Sequence, residues 1–206
     1  MNALQNLINL DIQCLEWIRT TFTLNTSWFP TVITLFADSE PLLFSLLLIG
    51  LWSYGTIKRE KGIKHVALDL FWHVLIAFGI YWIINQLLPM RPRPETVSSL
   101  PALISHLPDN SFPSGHAMYF GASWWALYKL TPWKHITWFF FVVGFLTVFT
   151  RVIAGIHYPL DILVGFFLGW GIMHILILLA HGKIYQKYAQ NLPIKIMSSI
   201  GLSFLF

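Results

Sequence analysis

The stretch LDILVGFFLGWGIMHILILLA, residues 160–180, carries a single charge, on Asp161. About 20 apolar residues in a helix cross the roughly 30 Å hydrocarbon core of a bilayer. The rest of the chain has the same character, since 56% of its 206 residues are hydrophobic and 11% are charged. An average soluble domain has about 25% charged residues. So few charges cannot cover a water-facing surface, and the sequence predicts a membrane protein.

Five apolar stretches can be drawn as membrane spans, at about 31–54, 66–88, 114–130, 136–154 and 160–180. The first must combine PLLFSLLLIGLW, which is too short by itself, with the preceding TVITLFADSE. The chain shows no internal repeat and no low-complexity linker. The sequence therefore predicts an all-α fold, a polytopic membrane helix bundle of about five transmembrane helices, in a single domain covering residues 1–206.

The N-terminal segment has a different pattern. It lacks the basic start of a signal peptide, and polar residues interrupt its apolar ones. Its apolar residues recur at helical spacing along one side: Leu4, Leu7, Ile8, Ile12, Leu15 and Ile18. We expect an N-terminal amphipathic helix, which either lies on the membrane surface or packs against the bundle.

The basic residues divide unequally between the two sides of the predicted bundle. One side receives KREKGIK (58–64), Lys129, Lys134, Lys183, Lys187 and Lys195, and the other receives Arg19, Arg91, Arg93 and Arg151. By the positive-inside rule the first side is cytoplasmic and the arginine side faces outward. The net charge of +4 follows from this topology, and no nucleic-acid partner is predicted. The single Cys14 allows no internal disulfide.

Three segments meet on the arginine side: QLLPMRPRPE (86–95), SFPSGH (111–116) and TRVIAGIHYPLD (150–161). Together they hold three Arg, two His and an Asp at one membrane face, where charged residues are costly and usually functional. Arg is the planar, bidentate partner of phosphate and carboxylate groups. The pattern predicts an anion site on the outer face.

Several of these residues also have ordinary structural explanations. Ser114 has the commonest role of a serine at a helix start, the N-cap, although the free N–H groups at Ser114–Gly115 also suit an anion. His116 taken alone is explained better as an interfacial residue than as a catalyst. Anchoring to lipid head groups explains Arg91, and it explains Arg93 less well.

Asp161 and His157 have two explanations as well. Pro159 suits the first turn of a helix, so Asp161 gains from the helix dipole without a catalytic role. In the functional interpretation, Asp161 accepts a hydrogen bond from one nitrogen of His157 and leaves the other free as a nucleophile. Arg151 lies six residues before His157, and in this interpretation we expect it to point into the same pocket.

The three segments resemble the signature of the type-2 phosphatidic acid phosphatase family, Lys-x6-Arg-Pro, Pro-Ser-Gly-His and Ser-Arg-x5-His-x3-Asp. The chain has Arg93-Pro94, Pro113-Ser114-Gly115-His116 and Thr150-Arg151-x5-His157-x3-Asp161. Gln86 stands where the motif has Lys, and Thr150 keeps the hydroxyl of the motif's Ser. Within the family, the chain is most similar to the bacterial undecaprenyl-diphosphate phosphatases.

The resemblance implies a mechanism. His157 attacks phosphorus and forms a phosphohistidine, Asp161 orients it, and His116 protonates the departing oxygen. The phosphate-binding residues it implies are Arg93, Arg151, Ser114 and Gly115, with Gln86 and Arg91 as weaker candidates. Phosphoryl transfer depends mainly on positioning and electrostatic stabilisation, and no His/Asp spacing resembles a metal box, so neither a metal nor another cofactor is predicted.

The resemblance also implies a substrate and a location. We expect a lipid-linked phosphate, most simply undecaprenyl diphosphate, hydrolysed on the outer face of a bacterial cytoplasmic (inner) membrane. Phosphatidate, phosphatidylglycerophosphate and lipid A remain alternatives, as does a non-catalytic bundle that binds or transports phospholipids.

Asp38 and Glu40 are expected to be solvated helix-start residues or to meet an arginine. The sequence does not indicate an oligomeric state.

Overall fold

A computed structural model describes residues 3–97, 101–104 and 110–180. These residues form helices and connecting segments without strands, which confirms the all-α prediction. The predicted cytoplasmic residues Lys183, Lys187 and Lys195 lie outside the described residues. The helices are α1 (Ala3–Phe22), α2 (Phe29–Ala37), α3 (Ser39–Ile57), α4 (Lys61–Leu87), α5 (Pro94–Val97), α6 (Gly115–Leu130), α7 (Lys134–Ile153) and α8 (Pro159–Ala180).

Four of these helices, α3, α4, α7 and α8, are long and apolar enough to cross a membrane. The predicted fifth span is α6, which has 16 residues and is about 24 Å long at 1.5 Å per residue. It is shorter than the four other spans, each of which has at least 19 residues. α6 contacts α3, α4, α7 and α8. Because it lies among other helices, its length need not match the bilayer.

The predicted first span, 31–54, is not one helix. α2 ends at Ala37 and α3 begins at Ser39, and Asp38 between them has φ −124° and ψ 12°. Pro41 has no N–H to donate to the Ala37 carbonyl, as a continuous helix would require. The Arg151 guanidinium donates to that carbonyl instead, at 3.0 Å. The break thus lets the Ala37 carbonyl and the Asp38 carboxylate both accept from Arg151 of α7.

The N-terminal helix α1 packs against the bundle, which was one of the two expected arrangements. Leu15 and Ile18 are buried with residues of α2 and with the end of α7. Arg19 extends this contact, since its guanidinium donates to the carbonyls of Ile153 at 3.3 Å and Pro101 at 2.6 Å. α1 therefore covers the end of the bundle that carries the arginines.

α6 and α8 approach so closely that their backbones touch. A Cβ atom on Gly165 would lie 2.5 Å from the Ser114 carbonyl oxygen, and one on Gly121 or Gly169 would overlap the facing helix backbone. Small residues allow this approach between membrane helices. The contact brings the start of α6 against the start of α8, where the Ser114 N–H donates to the Asp161 carbonyl at 3.1 Å.

Candidate active site

A polar cavity of about 570 Å³ opens where α4 ends and α6 begins. All three segments singled out in the sequence contribute to its wall. Six of the predicted site residues line it: Gln86, Arg93, Gly115, His116, Arg151 and His157. Residues from three separate segments of the chain therefore converge on one space.

His157 lies just before α8, and its side chain is 4% exposed. Its Nδ1 is 3.0 Å from the Ser111 carbonyl oxygen, which can only accept, so Nδ1 carries the proton. Its Nε2 is 3.2 Å from Nη1 of Arg93 and accepts from that guanidinium. The imidazole thus presents a lone pair on Nε2, the nitrogen beside the cavity arginine.

The electrostatic surroundings favour this neutral form. Burial, joined by the nearby charges of Arg93 and Arg151, lowers the pKa of His157 to about 4, although Asp161 acts in the opposite direction. Oδ2 of Asp161 is 3.6 Å from Nδ1 of His157, which is farther than the Ser111 carbonyl. Ser111 therefore holds the tautomer more directly than the carboxylate that the sequence pointed to.

Asp161 is fully buried, and hydrogen-bond donors surround its negative charge. Its Oδ1 accepts from Nη1 of Arg91 at 2.5 Å. Its Oδ2 accepts from the Ser111 hydroxyl at 2.5 Å and from the Tyr158 N–H at 2.9 Å. A buried carboxylate requires such compensation, and here it comes from three separate donors.

Arg91 lies behind Asp161 and does not line the polar cavity. Its second nitrogen, Nη2, donates to Oδ2 of Asp11 on α1 at 2.6 Å. Its guanidinium carbon lies 3.8 Å from the centre of the Tyr158 ring. The structure thus places this predicted phosphate ligand between two carboxylates.

Arg93 is buried against the segment that precedes α8. Its Nη1 donates to the Ile156 carbonyl at 2.7 Å in addition to facing His157. This backbone contact fixes the guanidinium beside Nε2 of His157, at the wall of the cavity. A phosphate next to that nitrogen would meet a positive charge that is already in position.

The second histidine, His116, belongs to a cluster with Arg151 and Asp38. Its Nε2 is 2.9 Å from Oδ1 of Asp38 and 3.3 Å from Nη1 of Arg151. Nη1 of Arg151 also donates to Oδ1 of Asp38 at 2.9 Å. The hydrogen bond from His116, assisted by the charge of Arg151, lowers the pKa of Asp38 to about 2. Asp38 is ionised and meets an arginine, one of the two outcomes expected for it.

Glu40, two residues further, does not reach the cavity cluster. It is buried, and its carboxyl group accepts from the Ser123 hydroxyl of α6 at 2.6 Å. Its backbone N–H donates to the Thr147 hydroxyl of α7 at 3.2 Å. Glu40 therefore joins α3 to the two helices packed beside it, and it is not a solvated helix-start residue.

Ser114 and Gly115 begin α6 as the sequence predicted, but only one of them faces the cavity. The buried Ser114 hydroxyl accepts from the Ala117 N–H at 3.5 Å, the contact of an N-cap. Gly115 lines the cavity, and a Cβ there would lie 3.2 Å from the Tyr81 hydroxyl oxygen. Glycine keeps this part of the wall open, whereas the Ser114 side chain lies behind it.

Ser111, Asp11 and Tyr158 contact the site residues although sequence reasoning did not select them. For Asp11 a signal was present, since it falls four residues after Leu7 and four before Leu15, inside the apolar stripe of α1. A carboxylate on a buried helix face needs a buried cation. Ser111 acts through its carbonyl and hydroxyl, and no sequence pattern marks it.

An apolar groove of about 470 Å³ adjoins the polar cavity. It runs between α3, α4 and α6, along residues 41–48 of α3 and 71–78 of α4, which corresponds to about 10 Å of helix. The groove and the cavity share Phe78, Gly115 and His116. A polar compartment and an apolar one therefore meet at His116.

The chain is similar to the proteins of one known family. The model of the PAP2 superfamily matches residues 66–185. The chain is 27% identical over 133 residues to undecaprenyl-diphosphatase BcrC of Bacillus subtilis, and the match covers 65% of each chain. It is 31% identical to the bacitracin transport permease protein BcrC of Bacillus licheniformis, over 67% of this chain and 65% of that one. The chain thus matches slightly under two thirds of the length of these two relatives.

Solved structures share the fold. One is a transmembrane PAP2-type phosphatidylglycerolphosphate phosphatase from Bacillus subtilis, with TM-score 0.59, 24% identity and 86% coverage of both chains. Another is LpxE of Aquifex aeolicus, with TM-score 0.56, 23% identity, and coverage of 82% of this chain and 94% of that one. These similarities establish the arrangement of helices.

Proposed function

The chain belongs to the PAP2 superfamily, and on that premise we propose that it is a membrane lipid phosphatase. It hydrolyses a lipid-linked phosphate on the outer face of a bacterial cytoplasmic membrane, with undecaprenyl diphosphate converted to undecaprenyl phosphate as the first candidate reaction. The observation that carries the proposal is the junction at His116, where the arginine-lined cavity meets the apolar groove. The phosphate end of a lipid fits the first compartment, and its hydrocarbon chain fits the second.

The chemistry follows from the two histidines. The lone pair on Nε2 of His157 attacks the terminal phosphorus and forms a P–N bond. The bond from phosphorus to the departing oxygen breaks, and this oxygen keeps the electron pair and takes a proton from His116. Water then attacks the phosphorus and gives a proton to His116. The P–N bond breaks with its electron pair returning to Nε2, so that inorganic phosphate leaves and His157 is neutral again.

The cavity wall supplies the charge stabilisation. Arg93 faces Nε2 of His157, and Arg151 faces His116, so a phosphoryl group between the histidines lies between two guanidinium groups. Positive charge fixed before the reaction stabilises a transition state without reorganisation. Gln86 lines the same cavity and offers a neutral hydrogen-bond donor to a phosphate oxygen.

The relatives' names support undecaprenyl diphosphate as the substrate. The test is phosphate release by the purified protein from four lipids presented singly: undecaprenyl diphosphate, phosphatidate, phosphatidylglycerophosphate and lipid A. We expect the highest kcat/KM for undecaprenyl diphosphate. A higher value for another lipid would replace the substrate and keep the reaction, whereas no release from any of the four would overturn the phosphatase assignment.

Metal independence is tested in the same assay. Within 3–97, 101–104 and 110–180, no group of three or more His, Cys, Asp or Glu side chains is arranged to hold a metal ion. The proposed steps use only side chains, so we expect the same rate with and without a chelator. Loss of activity in chelator, restored by a divalent metal, would contradict the mechanism.

A further inference from the structure

We propose that the N-terminal helix α1 supplies a positioning residue for the reaction: Asp11 holds Arg91 against Asp161 and so fixes the Asp161 carboxylate behind His157. This role rests on the proposed function, in which His157 is the nucleophile. It assigns α1 to the active site, and it gives Arg91 a task other than binding phosphate.

The geometry is a chain of alternating charges. Asp11 is 6% exposed, and its Oδ2 accepts from Nη2 of Arg91 at 2.6 Å. Its Oδ1 accepts from the Leu160 N–H, in the first turn of α8, at 2.9 Å. One carboxylate of α1 therefore holds both Arg91 and the start of the helix that carries Asp161.

Arg91 transmits this restraint to Asp161. Its Nη1 is 2.5 Å from Oδ1 of Asp161, and Tyr158 stacks on its guanidinium at 3.8 Å. Both terminal nitrogens are thus committed to carboxylates, and one face of the group is covered. An arginine held in this way orients its neighbour and is poorly placed to bind phosphate in the cavity.

The proposed reaction requires a neutral His157, and the pairing of Asp161 with Arg91 keeps it neutral. Four groups face His157: Arg93 before α5, Arg151 of α7, Asp161 of α8 and the neutral Ser111 carbonyl. An uncompensated carboxylate beside a buried imidazole favours the imidazolium, which has no lone pair for attack. Arg91 offsets the charge of Asp161, so the carboxylate can hold the Ser111 hydroxyl, and with it the residue whose carbonyl orients His157, without holding a proton on Nε2.

The closing experiment compares two carboxylates of the same helix. Asp11→Asn removes the buried, paired carboxylate, and Glu16→Gln removes an exposed one. We expect D11N to lower kcat about tenfold, with the KM and the inhibition constant of inorganic phosphate within about twofold of wild type. We expect E16Q to match wild type. Unchanged kcat in D11N, or a tenfold weaker inhibition by phosphate, would overturn the proposal.

A pH profile separates positioning from a purely structural contact. In Arg91→Gln the Asp161 carboxylate loses its compensating charge, so His157 is protonated at higher pH. Since burial lowers the pKa of His157 to about 4 in the wild-type site, we expect the acid limb of kcat/KM to move from near that value toward neutrality. An acid limb that stays in place in R91Q would contradict the proposal.

A double variant tests whether Asp11 acts through Arg91. If it does, D11N/R91Q is no slower than R91Q alone, whereas independent effects multiply. Rates are measured where each variant keeps the wild-type circular dichroism. If D11N does not fold, Arg91→Lys carries the test, because a lysine keeps the charge but cannot bridge both carboxylates, and a kcat equal to wild type in R91K would contradict the proposal.

The outcomes also distinguish this inference from the proposed function. An inactive wild-type protein, or a His157→Ala variant as active as wild type, would remove the phosphatase mechanism itself. An active wild type with an inactive H157A, together with D11N equal to E16Q, would remove only the role of α1.

Discussion

The two histidines of the cavity have opposite surroundings. The His157 side chain is 4% exposed, and its two nitrogens are held by a backbone carbonyl and a buried arginine. The His116 side chain is 29% exposed, and it contacts Asp38, whose side chain is 70% exposed. A buried neutral imidazole keeps a lone pair available, while an open imidazole beside a carboxylate exchanges protons with water. The difference suits one histidine to attack and the other to proton transfer.

The largest effect is expected at the buried histidine. His157→Ala removes the proposed nucleophile, so we expect phosphate release to fall by about 10³-fold or more. The exposed His135 of α7 provides a control, since H135A should keep wild-type activity. H157A with wild-type phosphate release would favour the alternative of a bundle that binds or transports phospholipid without chemistry.

A smaller and substrate-dependent effect is expected at the open histidine. His116→Ala removes the proposed general acid, which is worth about 10²–10⁴-fold. The loss should shrink for a phosphate ester with an acidic leaving group, such as p-nitrophenyl phosphate, because that oxygen departs without a proton. The H157A defect should not shrink. Equal leaving-group dependence in the two variants would contradict the division of roles between the histidines.

We expect Asp38→Asn to lower kcat about three- to tenfold, which is less than the effect of either histidine variant, because a mostly exposed ion pair is weakened by solvent.

Asp38→Asn should also change the dependence of stability on pH. The pKa of Asp38 is lowered from 3.8 to about 2, so the ionised carboxylate stabilises the fold above about pH 4, and this contribution is lost as the pH falls toward 2. The melting temperatures of wild type and D38N should therefore converge between these pH values. A constant difference would show that the pair does not form.

The smallest effect is expected at Gln86 in the cavity wall. Gln86→Lys restores the charge of the family motif and adds a third cation to the cavity, so we expect KM to fall about two- to fivefold with kcat nearly unchanged. The added attraction should weaken as salt rises. Gln13→Lys makes the same change at an exposed glutamine of α1 that does not line the cavity, and it is the matched control. A rise in KM in Q86K would indicate that the neutral amide contributes a hydrogen bond that an ammonium cannot replace.

Sequence patterns predicted the region around the two histidines but not the helix break at Asp38. The spacing of His157 and Asp161, and the motif around His116, identified residues that line the polar cavity or contact its wall, because both lie next to helix starts. The break at Asp38 was missed, because the apolar pattern continues across it. Pro41 causes the break, because it has no N–H to donate to the Ala37 carbonyl. Arg151, 114 residues after Ala37, donates to that carbonyl instead.

The sequence by itself determined the membrane-embedded helices, the face of the bundle that collects the arginines and the three segments that converge there. Hydrophobic length and charge placement decide these features, and both are local properties of the chain. Only the tertiary structure decided that Ser111 holds the tautomer of His157, that α1 reaches the site through Asp11, and that Arg91 lies behind Asp161. These contacts join residues 46, 80 and 70 positions apart. They depend on the backbone contact of α6 with α8 and on the packing of α1, which no local pattern specifies.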